Sequence, residues 1–337
     1  MSNFIIIGSK GKGSSIRNAV FGDIAAHAQP NVHYLYVENP TGPARLLHRI
    51  VSSKKLNRIV KMPLRTHWEI QFKDVEPLLS STEDNYIIFT PGTQIFERTS
   101  LSLLKKLRKA RQVCRSVYYF VDGVERTLQM SGVSEAYLLD FLKNFDYTCT
   151  YSRQDAEKYG FDFIEIPVWH SPNSASKASN LLYFSGADKK RVNLLVDIKK
   201  RLDPLGIAYN FHIVPSLSSD RSRTDIQYSA SKPYEEIVND VLETNCVLEI
   251  LAVFNTSATL RYKEAVIYNK KLLTTNPEIT RLPYYDARWM RYFEKAEDID
   301  LEWLRTVEPA DYGYKGDFSA LHFLDTVEKK YQEHQLK

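Results

Sequence analysis

The 337-residue sequence holds only three cysteines, Cys114, Cys149 and Cys246. They are odd in number, widely separated and form no C-x-x-C pair, so neither a disulfide framework nor a four-ligand zinc site fits, and a reducing compartment is expected. No apolar run approaches the roughly 18 residues needed to cross a bilayer, which leaves peripheral attachment as the only membrane role. The apolar stretch Met1 to Gly8 lacks a basic leader and a small-residue cleavage site, and it reads as a first strand. No period of about 20 to 50 residues recurs, so a solenoid is not expected. Excess charge is also scarce: 45 Lys and Arg against 41 Asp and Glu leave +4, too little to argue for a nucleic-acid partner.

What is present is an ordinary globular balance, 43% apolar and 26% charged, which excludes wholesale disorder and fibres. The charge is unevenly placed. Residues 1–165 carry 22 basic and 17 acidic side chains, and 166–337 carry 23 and 24, so the excess lies in the first half. Within it, 41–115 carries 15 basic against 6 acidic residues, a +9 stretch. That stretch is either a solvated face or a surface that meets phosphates or anionic lipid headgroups.

Short β-rich runs alternate with longer segments of helical period, the pattern of parallel sheets covered by helices. Strands are expected at 4–7, 32–37, 86–89, 117–121, 145–151 and 163–166, with a helix over 100–111. The segment SPNSASKASN after His170 is small, polar and Pro-containing, as in a linker. The alternation then restarts, with strands at 181–184, 209–214, 246–253 and 271–274 and helices at 190–202, 233–242 and 260–268. A last helix over 318–334, with Leu321, Leu324, Val327 and Tyr331 at helical spacing, is placed to return to the first domain. The reading is α/β with two Rossmann-like, doubly wound domains facing a cleft: residues 1–165, residues 166–317 and the closing helix 318–337.

Four segments carry candidate chemistry. Gly8 to Ser15 (GSKGKGSS) follows the first strand, where backbone N–H groups can cradle a phosphate or a sugar. It matches no nucleotide motif: counted from Gly8, Ser14 stands where a P-loop has its Lys, and counted from Gly11, Ile16 replaces the third glycine of G-x-G-x-x-G. Gly11, Gly13 and Ser14 are therefore either a flexible strand-to-helix turn or the floor of the acceptor side. Asp122, followed by Gly123 and then Glu125, ends an apolar strand, a position for a catalytic base or for an Asp capping the next helix. His170 is a base or ligand beside the linker, or a packed loop histidine.

In the second half, Gly186 to Arg191 opens a helix with cations, Lys190 and Arg191, where the macrodipole disfavours them; a bound diphosphate would reconcile the two. Most informative is the run from Glu249 to Asn276. There a polar turn over 255–259, including Ser257 and Thr259, offers N–H and hydroxyl groups, Arg261 sits one turn up as a counter-charge, and Glu264 can accept both hydroxyls of a ribose. The alternative is an exposed Arg261/Glu264 ion pair of little energetic weight.

Residues 248–276 resemble the nucleotide-sugar-binding segment of GT-B glycosyltransferases, particularly bacterial proteins of capsular and exopolysaccharide synthesis. The family pattern is [ST]-x-R-x-x-E-A followed by G-K-K-L-I-T-T-N. Thr259, Arg261, Glu264 and Ala265 match it, as do Lys270 to Asn276; Asn269 stands where glycine is usual and Ser257-Ala258 replaces a Gly-rich turn. Tyr151 to Gly160 resembles the family's Y-[ST]-x-D-x-x-D-A-x-K-Y-G, Phe184 to Arg191 its F-x-G-x-x-K-x-R, and Asp122 its Asp after an apolar strand. The resemblance covers most of 85–325. It implies transfer of a sugar from a nucleoside-diphosphate donor to a glycan acceptor, with no cofactor and no metal or D-x-D motif. Donor binding falls to Gly186, Lys190, Arg191, Ser257, Thr259, Arg261 and Glu264. If the anomeric centre is inverted, the base is Asp122, with Glu125 second. A glycan acceptor on a polyprenyl diphosphate would give the +9 stretch a motive, with Lys54, Lys55, Arg58, Lys61, Lys105, Lys106 and Arg108 meeting an anionic leaflet. The location expected is cytoplasmic, peripheral at the inner face of the plasma membrane. A noncatalytic two-lobed carbohydrate- or nucleotide-binding protein and an epimerase-like hydrolase are the alternatives.

Overall fold

The computed structural model describes residues 2–9, 20–21, 29–37, 42–43, 46–47, 50, 70, 72–90, 97–109, 113–121, 123–131, 133–170, 180–216, 219–220, 222–251 and 257–336. The chain divides into two compact units, Met1–Pro167 with Ala320–Lys337, and Val168–Ser319. Each is a wholly parallel sheet flanked by helices, a Rossmann-like α/β unit.

In the first unit β1 (Asn3–Ser9), β2 (Val32–Val37), β3 (Asn85–Phe89), β4 (Cys114–Phe120), β5 (Tyr147–Thr150) and β6 (Asp162–Phe163) lie in the order β2-β1-β3-β4-β5-β6. Its described helices are α1 (Phe72–Val75), α2 (Glu97–Lys109), α3 (Val124–Ser131), α4 (Glu135–Leu142) and α5 (Arg153–Tyr159). The strands carry apolar residues on both faces because helices cover both. Ile5, Ile7, Ile87, Phe89, Tyr118 and Phe120 point to one side and pack with Leu103, Leu104 and Leu107 of α2 and Leu138, Phe141 and Leu142 of α4. Their alternates, Phe4, Ile6, Tyr86, Ile88, Val117 and Tyr119, form a second core on the other side.

The second unit holds β7 (Asn180–Ala187), β8 (Tyr209–Val214), β9 (Thr244–Glu249), β10 (Lys271–Thr274) and β11 (Met290–Tyr292), in the order β11-β10-β9-β7-β8. With them run α6 (Val192–Leu202), α7 (Tyr234–Leu242), α8 (Leu260–Ile267) and α9 (Leu301–Arg305). Leu182, Phe184, Cys246, Leu248 and Leu273 share a core with Leu195, Ile198 and Leu202 of α6 and Leu304 of α9. α7 and α8 pack against the strands through Val238, Val241, Ala265 and Val266, all buried.

The final helix, α10 (Ala320–Gln335), belongs to the first unit. Its buried side chains are Ala320, Phe323, Leu324, Val327 and Tyr331, so Phe323 rather than the expected Leu321 completes the stripe. Phe323 lies 4.8 Å from Tyr119 and Tyr331 lies 5.6 Å from Tyr86, ring centre to ring centre. Each such burial contributes roughly 1.5–3 kcal/mol.

Other differences are local. The strand expected at 163–166 is the two-residue β6, paired to β5 only through Cys149–Asp162 and Thr150–Phe163. The segments β11 and α9, three and five residues long, are too short to show a period. The three cysteines are free, and Cys149 and Cys246 are buried. Among the described residues no helix is long and apolar enough to cross a membrane.

Candidate functional site

Parallel pairing brings the carboxyl ends of all strands in a sheet to one edge. In the second unit the strand order reverses between β7 and β9, because β7 is followed by β8 on one side and by β9 on the other. Loops leave that point in opposite directions, which is where open α/β sheets bind ligands. The residues there are Gly186 at the end of β7, Glu249 at the end of β9, Thr274 at the end of β10 and the start of α8.

Glu249 is 1% exposed and ends a strand that is buried at every position. Both carboxylate oxygens are occupied: Thr259 Oγ1 donates to Oε1 and Thr274 Oγ1 donates to Oε2. Burial pushes its pKa up, opposed by the two hydroxyls and by the charges of Arg191 and Arg261. Thr259 is also the N-cap of α8, its hydroxyl accepting from the Arg261 and Tyr262 amides at 3.1 and 3.4 Å. One hydroxyl thus caps the helix and ties it to the neighbouring strand.

Arg261 and Glu264 form the ion pair that their spacing allows, Nη2 to Oε1 at 2.6 Å, with Tyr234 Oη donating to the same oxygen at 2.9 Å. The pair is not the exposed one weighed as an alternative, since the Glu264 side chain is 0% and the Arg261 side chain 13% exposed. α8 is buried on every side from Tyr262 to Ile267, so Glu264 has no solvent-facing position. Burial drives the Glu264 carboxyl up to about 7, against the opposing pull of Arg261 and Tyr234. Glu264 Oε2, Arg261 Nη1 and Arg191 Nε are buried without a hydrogen-bond partner among the described residues. Buried polar atoms are costly to leave unmade, so three in one neighbourhood mark a place built for an additional polar group.

The turn after β7 differs from the sequence reading. Lys190 and Arg191 are not in the first helical turn: α6 starts at Val192, Arg191 is its N-cap without a side-chain cap bond, and Lys189 and Lys190 have φ of 34° and 71°. Two left-handed residues reverse the chain before the helix begins. Lys190 is exposed, whereas Arg191 turns inward over the Phe184 ring, 5.9 Å from its centre. Gly186 makes this possible, because a Cβ there would lie 2.9 Å from Arg191 Nη1. Burial lowers the Arg191 pKa and the Glu249 carboxylate opposes that shift. Asp188 anchors the same turn, accepting from Ser216 Oγ at 2.7 Å, from Tyr228 Oη at 3.1 Å and from Ser219 Oγ. Ser257 is buried just before Thr259; residues 252–256 lie outside the described residues. Asn269, where the resembling family has glycine, has φ of 51°, and Asn is among the few other residues that tolerate this conformation.

In the first unit, Gly11, Gly13, Ser14 and Asp122 lie outside the described residues, as do Lys54, Lys55, Arg58 and Lys61. Glu125 is exposed and accepts from Gln129 Nε2 at 3.0 Å within α3. The N-terminus of α3 is held by Asp155, whose Oδ2 accepts the Val124 N–H at 2.8 Å. Gly123, with φ of 75°, lets that carboxylate approach, since a Cβ there would stand 2.9 Å from Oδ2. His170 is exposed beside Tyr268, with ring centres 5.7 Å apart. No group of three metal-ligating side chains occurs among the described residues.

The sequence reading assigned no role to Glu249, Asp188 or Tyr234. A readable signal existed for Glu249, an acid directly after the apolar run Cys246 to Leu248; Tyr234 carried none, because its partner is 30 residues away.

No protein-family model matches the chain, and no curated protein matches it. Solved structures do match, 37 chains among them. One is a crystal structure from Listeria monocytogenes, provisionally named a UDP-N-acetylglucosamine 2-epimerase, with a TM-score of 0.45 and 10% identity over 99% of this chain and 98% of that one. The two strand orders given above are what define this chain as a pair of Rossmann-like α/β units.

Proposed function

We propose that the chain is a metal-independent glycosyltransferase that moves a sugar from a nucleoside-diphosphate donor to a lipid-linked glycan in bacterial surface-polysaccharide synthesis, its two units acting as GT-B lobes. The observation that carries the reading is the set of buried Glu249 and Glu264 with the partly buried Arg191 and Arg261 at the strand-order reversal of the second sheet. Departure of a nucleoside diphosphate builds negative charge on the leaving oxygens. Two guanidiniums, with Arg261 Nη1 and Arg191 Nε lacking a partner among the described residues, stabilise such charge without a metal. Glu264 Oε2, without a partner among the described residues, is the acceptor for a ribose hydroxyl. In an inverting reaction Asp122 takes the acceptor's proton, a role that rests on its place after β4 and on the family resemblance.

Three exposed aliphatic side chains, Leu46, Leu47 and Ile50, and the exposed Lys105 and Lys106 of α2 support a lipid-borne acceptor. The test is calorimetry of the full chain with UDP, GDP, dTDP and CMP. It is followed by turnover of the matching sugar nucleotide with and without a polyprenyl-diphosphate glycan. Acceptor-dependent consumption that is lost in Asp122→Asn with donor affinity retained is the expected result. Binding without turnover would make the chain a noncatalytic binder. Consumption without acceptor would make it a hydrolase or an epimerase.

A further inference from the structure

We infer that Glu249 is a positioning residue that fixes the anion-facing start of α8, and with it Arg261, to the end of β10. The inference rests on the proposed donor site and concerns a side chain to which neither the sequence pattern nor the resemblance gave a task.

Asn276 N–H donates to Thr274 Oγ1 at 2.9 Å, and that hydroxyl donates to Glu249 Oε2. On the other side the Arg261 and Tyr262 amides donate to Thr259 Oγ1, and that hydroxyl donates to Glu249 Oε1. Each threonine hydroxyl accepts from backbone on one side and has a single proton to give on the other. Only an acceptor with two oxygens can take both protons, and an ionised carboxylate is the side chain that offers this. Glu249 therefore joins three pieces of backbone: the end of β9, the first turn of α8 and the loop leaving β10.

The local charge argues the same way. Arg261 lowers the tendency of Arg191 to stay charged, while Glu249 acts in the opposite sense on both guanidiniums. Glu249 thus supports two guanidiniums, each of which keeps a buried nitrogen without a partner among the described residues. Simple helix capping would need Thr259 alone, and an apolar residue in place of Glu249 would avoid burying a charge. The acid is explained when the start of α8 must hold still against a ligand.

The experiment uses the full chain and three variants. Thr274→Val keeps the side-chain shape but removes the proton given to Oε2. Glu249→Gln keeps the volume but presents an NH2 group to a hydroxyl already occupied by backbone. Thr274→Ser restores the hydroxyl. Amide hydrogen exchange of the unliganded proteins at Arg261 and Tyr262 is expected to be about tenfold faster in the first two variants and like wild type in Thr274→Ser. Dissociation constants for whichever of UDP, GDP, dTDP or CMP binds the wild type are expected to rise about tenfold in the same two variants.

Unchanged exchange in Thr274→Val and Glu249→Gln overturns the inference. Faster exchange with unaltered nucleotide affinity also overturns it, since α8 would then be loosened without consequence for the site. A wild type that binds none of the four nucleotides refutes the proposed donor site instead, and the exchange measurement then decides alone whether Glu249 holds the helix start. Should Glu249→Gln fail to fold, the Thr274→Val and Thr274→Ser pair carries the test.

Discussion

Replacing Glu264 by Gln should abolish a specific pH dependence of stability. In the folded protein burial holds this carboxyl at about 7 against an ordinary 4.5, despite Arg261 and Tyr234 beside it. A folded-state pKa above the unfolded one means that the native state binds the proton more tightly. Stability is then complete below pH 4.5 and declines as pH rises, until the folded carboxyl also ionises near 7. The difference of 7 minus 4.5, at about 1.4 kcal/mol per pH unit, gives a loss of about 3 kcal/mol between pH 4.5 and 8 from this one group. Glutamine keeps the acceptor for Tyr234 and has no proton to lose. Its uncompensated effect on Arg261 is the same at both pH values and cancels in the comparison. The assay is urea denaturation of the full chain at pH 5 and pH 8, followed by tryptophan fluorescence, for both proteins. On going from pH 5 to pH 8 the wild type should lose about 2.5 kcal/mol more than the variant, since part of the effect is already gone at pH 5. Equal losses would show that Glu264 is not the buried, proton-retaining group described here.

Three further outcomes are expected. Gly186→Ala should leave the fold intact, because the group it meets is the movable end of Arg191, yet weaken nucleoside-diphosphate binding about tenfold by displacing that guanidinium; calorimetry with unchanged affinity would count against Arg191 as a phosphate ligand. Asp155→Ala should cost about 1 kcal/mol in urea denaturation by orphaning the Val124 N–H, whereas Asp155→Asn should cost less, and equal stability of Ala variant and wild type would contradict this capping. The full chain should float with vesicles containing anionic lipid at about 0.1 M salt and much less at about 1 M. A double Leu46→Glu, Leu47→Glu variant should not float, and wild-type flotation equal on neutral vesicles would remove the anionic-surface proposal.

The alternation of apolar runs with helical segments determined two α/β units, because strands buried on both faces need runs of apolar residues and helices must carry a stripe. Ile5 to Ile7, Ile87 to Phe89 and Cys246 to Leu248 are legible for that reason. Thr259, Arg261 and Glu264 were also legible as a group, since cap, i+2 and i+5 positions on one helix are a matter of local spacing. Local spacing says nothing of burial, so Arg261 and Glu264 also fit a weak, exposed ion pair. Only the tertiary structure decided that point, by packing α7 against α8 so that Tyr234 closes over Glu264, and by bringing Thr274 and Thr259 to opposite oxygens of Glu249. It also turned Arg191 inward through two left-handed residues that no propensity rule requires of lysine. The physical reason is common to all three: proton affinity and hydrogen-bond satisfaction depend on neighbours from distant segments, and desolvation has no period in a sequence.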